Sequence, residues 1–416
     1  MWAPVKILTQ HIADIRKISS LRDLISEKME ADSVVGKPKV VFAFTGPKVD
    51  PYNFFEEVRN AVGFSVPIVG GSTKGLMCNT FVSNSDYSAS LMFLETNLIE
   101  VFVSCERNIH REEEKAGKRL GKRFQYNDLS LEGLFIFFYQ LLREYPGVKD
   151  YYLPHSGSYL LQGINAAVSS KLTIWGAGLS KDHNFRPGFQ FCGFHVSQDH
   201  AMGIILGGPL KFYQKIIPGF TPLDGIERKV TRIRGPVIYE LDGKPIIETI
   251  NQILGEEEWQ NESPVQLLTI GVNQNGKDRQ DENLYICRSL VGLTPDEKGI
   301  ILSDTDIKEG DFIQFLVRDP ETTLESIMFQ IPSLLRDIKS IGERPVLALY
   351  ITSFPHSREY WDIFFEEARE VQKAINNEVP LIGFCCPVQI AEVSGRPLVS
   401  SGLGLFSLIT EKNGSL

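Results

Sequence analysis

The sequence predicts an α/β protein in which repeated strand-helix-strand units form mixed sheets with helices packed on their faces, arranged as two associated domains. Three observations lead there. Short continuous apolar runs such as Val40-Val-Phe-Ala-Phe44 suit strands covered on both faces. Amphipathic segments lie between such runs, and a glycine-bearing turn follows the second strand of each unit. The 416 residues, 43% of them apolar, are enough for roughly two to four domains with a large core.

Residues 5–30 place Leu8, Ile12, Ile15, Ile18, Leu21, Leu24, Ile25 and Met29 mainly three and four residues apart, which predicts one long N-terminal helix within 1–31. The first unit then runs from strand Val40–Phe44 through a helix bearing Phe55, Val58 and Val62 to Val66-Pro-Ile-Val-Gly-Gly71, followed by strand Ser88–Leu94. A second runs from Leu134–Phe138 through Tyr159, Leu160, Ile164 and Val168 to Leu172-Thr-Ile-Trp-Gly-Ala177, then to strands near Phe189–Val196 and Ala201–Leu206. The third runs from Val346–Ile351 through Trp361, Phe365, Ala368, Val371 and Ile375 to Val379-Pro-Leu-Ile-Gly-Phe384, then to Gly402–Leu408. The two strands joined by each helix should pair in parallel through a right-handed crossover.

Between the second and third units, Asp242-Gly243 predicts a tight turn after strand Val237–Leu241. Pro245 suits a first helical position, and Ile246, Ile250, Ile253 and Leu254 form the buried stripe. Further strands are expected at Val265–Ile270, Leu284–Arg288, Gly299–Leu302 and Asp311–Val317. A long helix at Pro320–Ile341 follows, which Pro332 should kink or split. The Pro- and Gly-containing passage Pro218–Ile226 is the natural boundary, giving domains at 32–222 and 223–416.

Fifty-two acidic against 43 basic side chains leave a formal charge of −9, which disfavours nucleic acid and anionic lipid as partners. The six cysteines form no CxxC pair and lie mostly in apolar contexts, as expected for reduced thiols in a cytosolic protein. No segment approaches 18 apolar residues, and the N-terminus lacks the apolar core of a signal peptide, so a cytoplasmic protein without membrane insertion is expected.

Three stretches carry a family resemblance. Val66-Pro-Ile-Val-Gly-Gly-Ser-Thr-Lys-Gly75 is one, and Val379-Pro-Leu-Ile-Gly-Phe384 is another. The third runs from Leu172 through His200-Ala-Met-Gly-Ile-Ile205 to Gly235-Pro-Val-Ile-Tyr-Glu-Leu-Asp-Gly-Lys-Pro245. In this order they resemble the N- and C-terminal regions of FIST-domain proteins over about residues 32–408. The resemblance implies a cytosolic sensory module for a small molecule, such as an amino acid or related metabolite, without chemical turnover. Members commonly carry Gly-Glu-Ile where this chain has Gly75-Leu76-Met77, and again where it has Val388-Gln389-Ile390. Loss of both acidic positions implies a less basic ligand, or none comparable. No output domain is recognisable, so a separate signalling partner is expected to read the module.

Candidate chemistry gathers at the glycine turns, which expose backbone N–H groups at the carboxyl ends of the strands and, recurring at matching places in the three units, are expected to line one shared cleft. Gly70, Gly71, Ser72, Thr73 and Lys74 form a donor-rich loop able to cradle an anion, without Walker spacing. Trp175 and Phe384 could stack on a planar ligand beside Gly176, Gly178 and Gly383, with Cys385, Cys386 and Gln389 adjoining. The same turns would serve equally as tight corners, and the aromatics as core. Cys385, Cys386 or Ser72 as a nucleophile is the enzymatic alternative, although no base or orienting group is recognisable. A ligand-free interaction scaffold is the other.

His183, His195, Asp199 and His200 have the chemistry of metal ligands. Their context favours a hairpin turn at Ser197–His200 instead, and neither metal nor cofactor is expected. His155 and Ser156 read as a loop and a helix cap at the edge of the cleft.

Overall fold

A computed structural model describes residues 5–31, 37–96, 99–109, 112–125, 133–144, 152–168, 172–181, 186–255, 258–261, 268–273, 285–353, 358–393 and 395–411. All three units are present, each with its two strands parallel. The first is Val40–Thr45, helix Pro51–Val62 and Ile68–Ser72. The second is Gly133–Gln140, helix Gly157–Asn165 and Thr173–Leu179. The third is Arg344–Thr352, helix Arg358–Ile375 and Leu381–Cys385. Burial on both faces accounts for the continuous apolar runs. Val41 and Ala43 pack with Phe54, Phe55 and Val58 of the helix, while Val40, Phe42 and Phe44 join a core shared with the other sheets.

Each first strand is flanked by an antiparallel one, Ala89–Glu95, His200–Gly207 or Gly404–Glu411. An edge strand lies outside that, Lys6–Ile12, Glu100–Arg107 or Leu210–Ile217. The strand after each glycine turn crosses to a different unit. Lys74–Cys78 leaves the first and pairs with Leu381–Cys385 of the third. Val388–Val393 leaves the third and pairs with Thr173–Leu179 of the second. Gln190–Gly193 leaves the second and pairs with Ile68–Ser72 of the first. Three six-stranded sheets are thereby closed into a ring by exchanged hairpins.

Two expectations are overturned by this pairing. Residues 6–12 are a strand, aligned from Lys6 opposite Glu95 to Ile12 opposite Ala89, and the α-helix is confined to Leu21–Ala31. Ile7, Thr9 and Ile12 are β-branched, and the open edge of Ala89–Glu95 offers partners to the inward backbone groups of all seven residues, which outweighs the helical spacing. Ser197–His200 does not close a hairpin either. Gln190–Gly193 lies in the first sheet and His200–Gly207 in the second, where it pairs with both Gly133–Gln140 and Glu100–Arg107.

Between Leu210–Ile217 and helix Pro320–Ser340 the chain builds a closed barrel. Its strands run in the order Thr269–Asn273, Tyr285–Leu293, Ile300–Leu302, Val237–Leu241, Arg228–Arg234 and Phe312–Arg318, the last pairing with the first. Helix Ile246–Leu254 buries Ile246 and Ile250 in the barrel core. Asp242 and Gly243 adopt φ +53° and +77°, the left-handed turn expected of Asp-Gly, and the helix begins one residue after Pro245. Helix Pro320–Ser340 continues through Pro332 unsplit. The barrel thus interrupts the third unit between its edge strand and its first helix.

Helices Glu113–Gln125 and Gly157–Asn165 touch backbone to backbone. A Cβ on Gly117 would lie 2.1 Å from the Leu160 carbonyl oxygen, and one on Gly163 only 2.0 Å from that of Glu114. This contact fixes the N-terminus of helix Gly157–Asn165, which matters for the site below.

His11 gives a pH test of the ring. Its imidazole stacks at 5.4 Å on Phe81 of the exchanged hairpin, and Nδ1 lies 3.2 Å from Ser90 Oγ. Burial lowers its pKa to about 4. Since the unfolded value is about 6.5, the stability it contributes is present above that pH and lost as pH falls towards the folded value. His11→Gln should flatten the fall of the urea midpoint between those two pH values. An unchanged slope would remove His11 from the account.

Candidate functional site

The three glycine corners meet, and the space where they meet is filled. Phe384 stacks on Phe44 at 4.1 Å, while Phe138 packs edge-on against Phe44, Trp175 and Phe384 at 6.0, 6.2 and 6.2 Å. Trp175, Phe384, Cys385, Cys386 and Gln389 are all buried. The shared hollow expected from the sequence is therefore an aromatic core.

Individual corner residues hold the ring together. A Cβ on Gly70 would sit 2.1 Å from the Ala43 carbonyl oxygen, and one on Gly383 would sit 2.6 Å from that of Tyr350. On Gly71 it would meet the Phe189 carbonyl, and on Gly178 the Tyr139 ring. Ser72 Oγ accepts from the Phe189 N–H at 3.3 Å, and Thr73 Oγ1 donates to the Cys385 carbonyl, joining the first corner to the third. Lys74 pairs with Asp86 at 3.1 Å. Gly176 and Gly178 pair with Ile390 and Val388, joining the second corner to the third. Gln389 donates to the Cys386 carbonyl at 3.0 Å and accepts from the Leu403 N–H at 3.1 Å, so its amide is used internally. Burial raises both the Cys385 and Cys386 thiols above the ordinary range, the reverse of what activates a nucleophile.

Space for a ligand opens elsewhere. A cleft of about 580 Å³ lies between Ser158, Leu161, Gln162 and Asn165 of the second unit's helix, Thr173, Asp306 of the barrel, and the Glu392–Val399 hairpin of the third unit. It joins the second unit, the third unit and the barrel. A smaller cleft of about 400 Å³, beside Lys6–Thr9, Lys28 and Pro380, contains none of the corner residues.

Behind two residues of the larger cleft's lining, Ser158 and Asp306, lies a buried polar cluster. Ser156 caps helix Gly157–Asn165, accepting from the Tyr159 N–H at 3.1 Å, and donates to Asp304 Oδ1 at 2.8 Å. Asp304 Oδ2 accepts from the N–H and hydroxyl of Ser158, both at 3.0 Å. A carboxylate here is favoured by the helix dipole.

Arg288 is 2% exposed and forks onto Asp306, with Nε 2.8 Å from Oδ1. Its remaining nitrogen donates to the carbonyls of Cys287 at 2.8 Å and Val399 at 2.7 Å. One guanidinium thus ties the barrel to the hairpin that walls the cleft. Burial pushes the Asp304 carboxyl up, and the charge of Asp306 adds to this against the pull of Arg288. Burial acts upward on Asp306 as well, but Arg288 outweighs it and holds that carboxyl below its usual range.

The histidines divide. His155 is fully buried, with Nε2 3.2 Å from Asp199 and Nδ1 3.8 Å from Glu113. Burial acts upward on Glu113, and the His155 ring, a backbone hydrogen bond and the charge of Arg143 together outweigh it to hold the carboxyl low. The rings of His195 and His200 are 5.9 Å apart, and no group of three or more His, Cys, Asp or Glu side chains able to hold a metal occurs among the described residues. His183 lies outside the described residues.

Sequence reading placed Ser156 as a cap and missed Arg288, Asp304 and Asp306. The available signals were a lone basic residue inside the apolar strand Tyr285-Ile-Cys-Arg288 and the acidic Ser303-Asp-Thr-Asp306 after Ile300–Leu302.

Comparison with known proteins gives a family. A model of the FIST N domain matches residues 39–244, and one of the FIST C domain matches residues 247–392. An uncharacterised protein of Methanocaldococcus jannaschii is 25% identical over 278 residues, covering 63% of this chain and 50% of that protein. The chain therefore spans about half the length of that relative. Among solved structures, Thermotoga maritima PurL complexed with ATP is 10% identical, with a TM-score of 0.21 over 98% of this chain and 72% of that one. Phosphoribosylformylglycinamidine synthase II from the same organism is 11% identical, with a TM-score of 0.19 over 98% and 72%. Scores this low carry no argument. No described helix is long and apolar enough to cross a membrane.

Proposed function

The chain belongs to the FIST family, whose domains are sensory modules of signal transduction, and on that premise we propose that it binds a small molecule in the cleft between helix Gly157–Asn165, Asp306 and the Glu392–Val399 hairpin. The observation that carries the proposal is the position of the cleft. Its walls come from three parts of the chain, and Arg288 connects two of them through one buried side chain. A ligand that fits only one relative placement of those walls would shift the barrel against the sheets. A separate signalling protein in the cytoplasm would then read that shift.

The lining suits a small polar metabolite with an apolar portion. Gln162, Asn165, Ser158 and Thr173 offer amides and hydroxyls, Asp306, Glu392 and Arg396 offer both signs of charge, and Leu161, Leu172 and Leu398 offer apolar surface. The glycine corners form the frame. Thr173–Leu179 and Val388–Val393 start or end at them and carry cleft residues at their far ends.

Binding should raise the melting temperature by mass action, worth about 2.7 kcal/mol at roughly a hundred times Kd. Gln162 is exposed on the cleft wall, so Gln162→Trp should fill the cleft without unfolding the protein. The test is a thermal-shift screen of a metabolite panel, with native mass spectrometry of the purified protein. A hit whose shift disappears in Gln162→Trp supports the cleft. A hit that survives in that variant places the ligand elsewhere, and a panel without hits favours the ligand-free scaffold.

A further inference from the structure

Outside the cleft, two cysteines from different units lie on strands packed against each other. Cys105 lies on edge strand Glu100–Arg107 of the second sheet, and Cys192 on the exchanged strand Gln190–Gly193 in the first. The two strands pack closely. A Cβ on Gly193 would be 3.3 Å from the Val103 side chain, Cys105 Sγ lies 3.5 Å from the Cys192 carbonyl oxygen, and both cysteines belong to one packed apolar cluster. Alternation along Glu100–Arg107 sends Val101, Val103 and Cys105 towards the first sheet, and Phe102 towards helix Glu113–Gln125. Cys105 is half-buried, whereas Cys78, Cys192, Cys287, Cys385 and Cys386 are buried.

We propose that Cys105 and Cys192 are a site of reversible oxidation by small disulfides of the glutathione class, closing a disulfide that links the first sheet to the second. Only Cys105 has solvent access, so it reacts first. Its thiolate attacks one sulfur of the small disulfide, forming a mixed disulfide and releasing one small thiolate, which takes up the proton that Cys105 lost. Cys192 then attacks the Cys105 sulfur and expels the second small thiolate, which takes up the proton that Cys192 gives up. The protein loses two hydrogens, and the small disulfide becomes two thiols. The Cys105 side chain beside it and its own burial raise the Cys192 thiol above the ordinary range, so the second step waits for the first.

The protein, incubated under native conditions with oxidised glutathione, should lose two of its six titratable thiols, and non-reducing peptide mapping should join the Cys105 and Cys192 peptides. Cys192→Ser should stop at a glutathione adduct on Cys105, and Cys105→Ser should lose no thiols. Dithiothreitol should restore all six. A persistent adduct on wild-type Cys105, a bridge through any other pair, or no reaction would each overturn the proposal. The result is independent of whether the cleft binds a ligand.

Discussion

Arg288→Leu should lower the stability of the protein by about 3–5 kcal/mol, because it takes the cation from buried Asp304 and half-buried Asp306 and leaves two main-chain carbonyls without their donor. Arg288 is 2% exposed, and its four contacts all go to Asp306 or to the carbonyls of Cys287 and Val399. The loss would appear as a lower urea midpoint at neutral pH. Arg288→Lys should recover little, since an ammonium cannot fork onto a carboxylate while also reaching two carbonyls. Arg288→Leu combined with Asp306→Asn should be less damaging than Arg288→Leu alone, because the stranded charge goes too.

The pH dependence should change in a defined sense. Asp306 is depressed in the folded protein, so its contribution is complete above the unfolded value of about 3.9 and is lost as pH falls through the folded one. Asp304 is raised, so its contribution has the opposite sign: complete below the unfolded value and lost as pH rises through the folded one. Without Arg288, only weaker hydrogen bonds oppose the effect of burial on Asp306, and the variant should lose less stability on mild acidification than the wild type. If Arg288→Leu unfolds within about 1 kcal/mol of wild type, the guanidinium is not the tie between barrel and hairpin.

Gly70→Ala should be the second severe substitution. The backbone has φ +129°, and the new Cβ would lie 2.1 Å from the Ala43 carbonyl oxygen. Strain of about 1–3 kcal/mol from the dihedral adds to about 1–3 kcal/mol from overpacking against backbone that cannot rotate away. The clash falls where Ala43 pairs with Gly70, so relief requires opening the parallel pair at the centre of the first sheet. Gly225→Ala is the control, with φ +68° and nothing within 4 Å of the added Cβ. It should carry only the dihedral cost. Equal urea midpoints for the two variants would show that the strands can separate locally at little cost.

Much of the local structure was legible in the residues. Val40-Val-Phe-Ala-Phe44 reads as a strand covered on both faces, and it is one. Asp242-Gly243 forms its left-handed turn from local chemistry alone, and Ser156 caps the helix that follows it. Residues 6–12 misled because Leu8, Ile12 and Ile15 satisfy a helical spacing, while the partner that makes them a strand, Ala89–Glu95, lies about eighty residues away.

The sequence alone determined the three strand-helix-strand units, their glycine corners and the family, since dihedral preferences, side-chain periodicity and short turns act over a few residues. Tertiary structure decided where the corners point and which strands they exchange, and so that an aromatic core fills their meeting place. It also decided that a cleft forms instead beside Arg288, Asp304 and Asp306. Those three are ordinary charges in sequence. They become a site only when strands distant along the chain are brought into contact and water is excluded from around them.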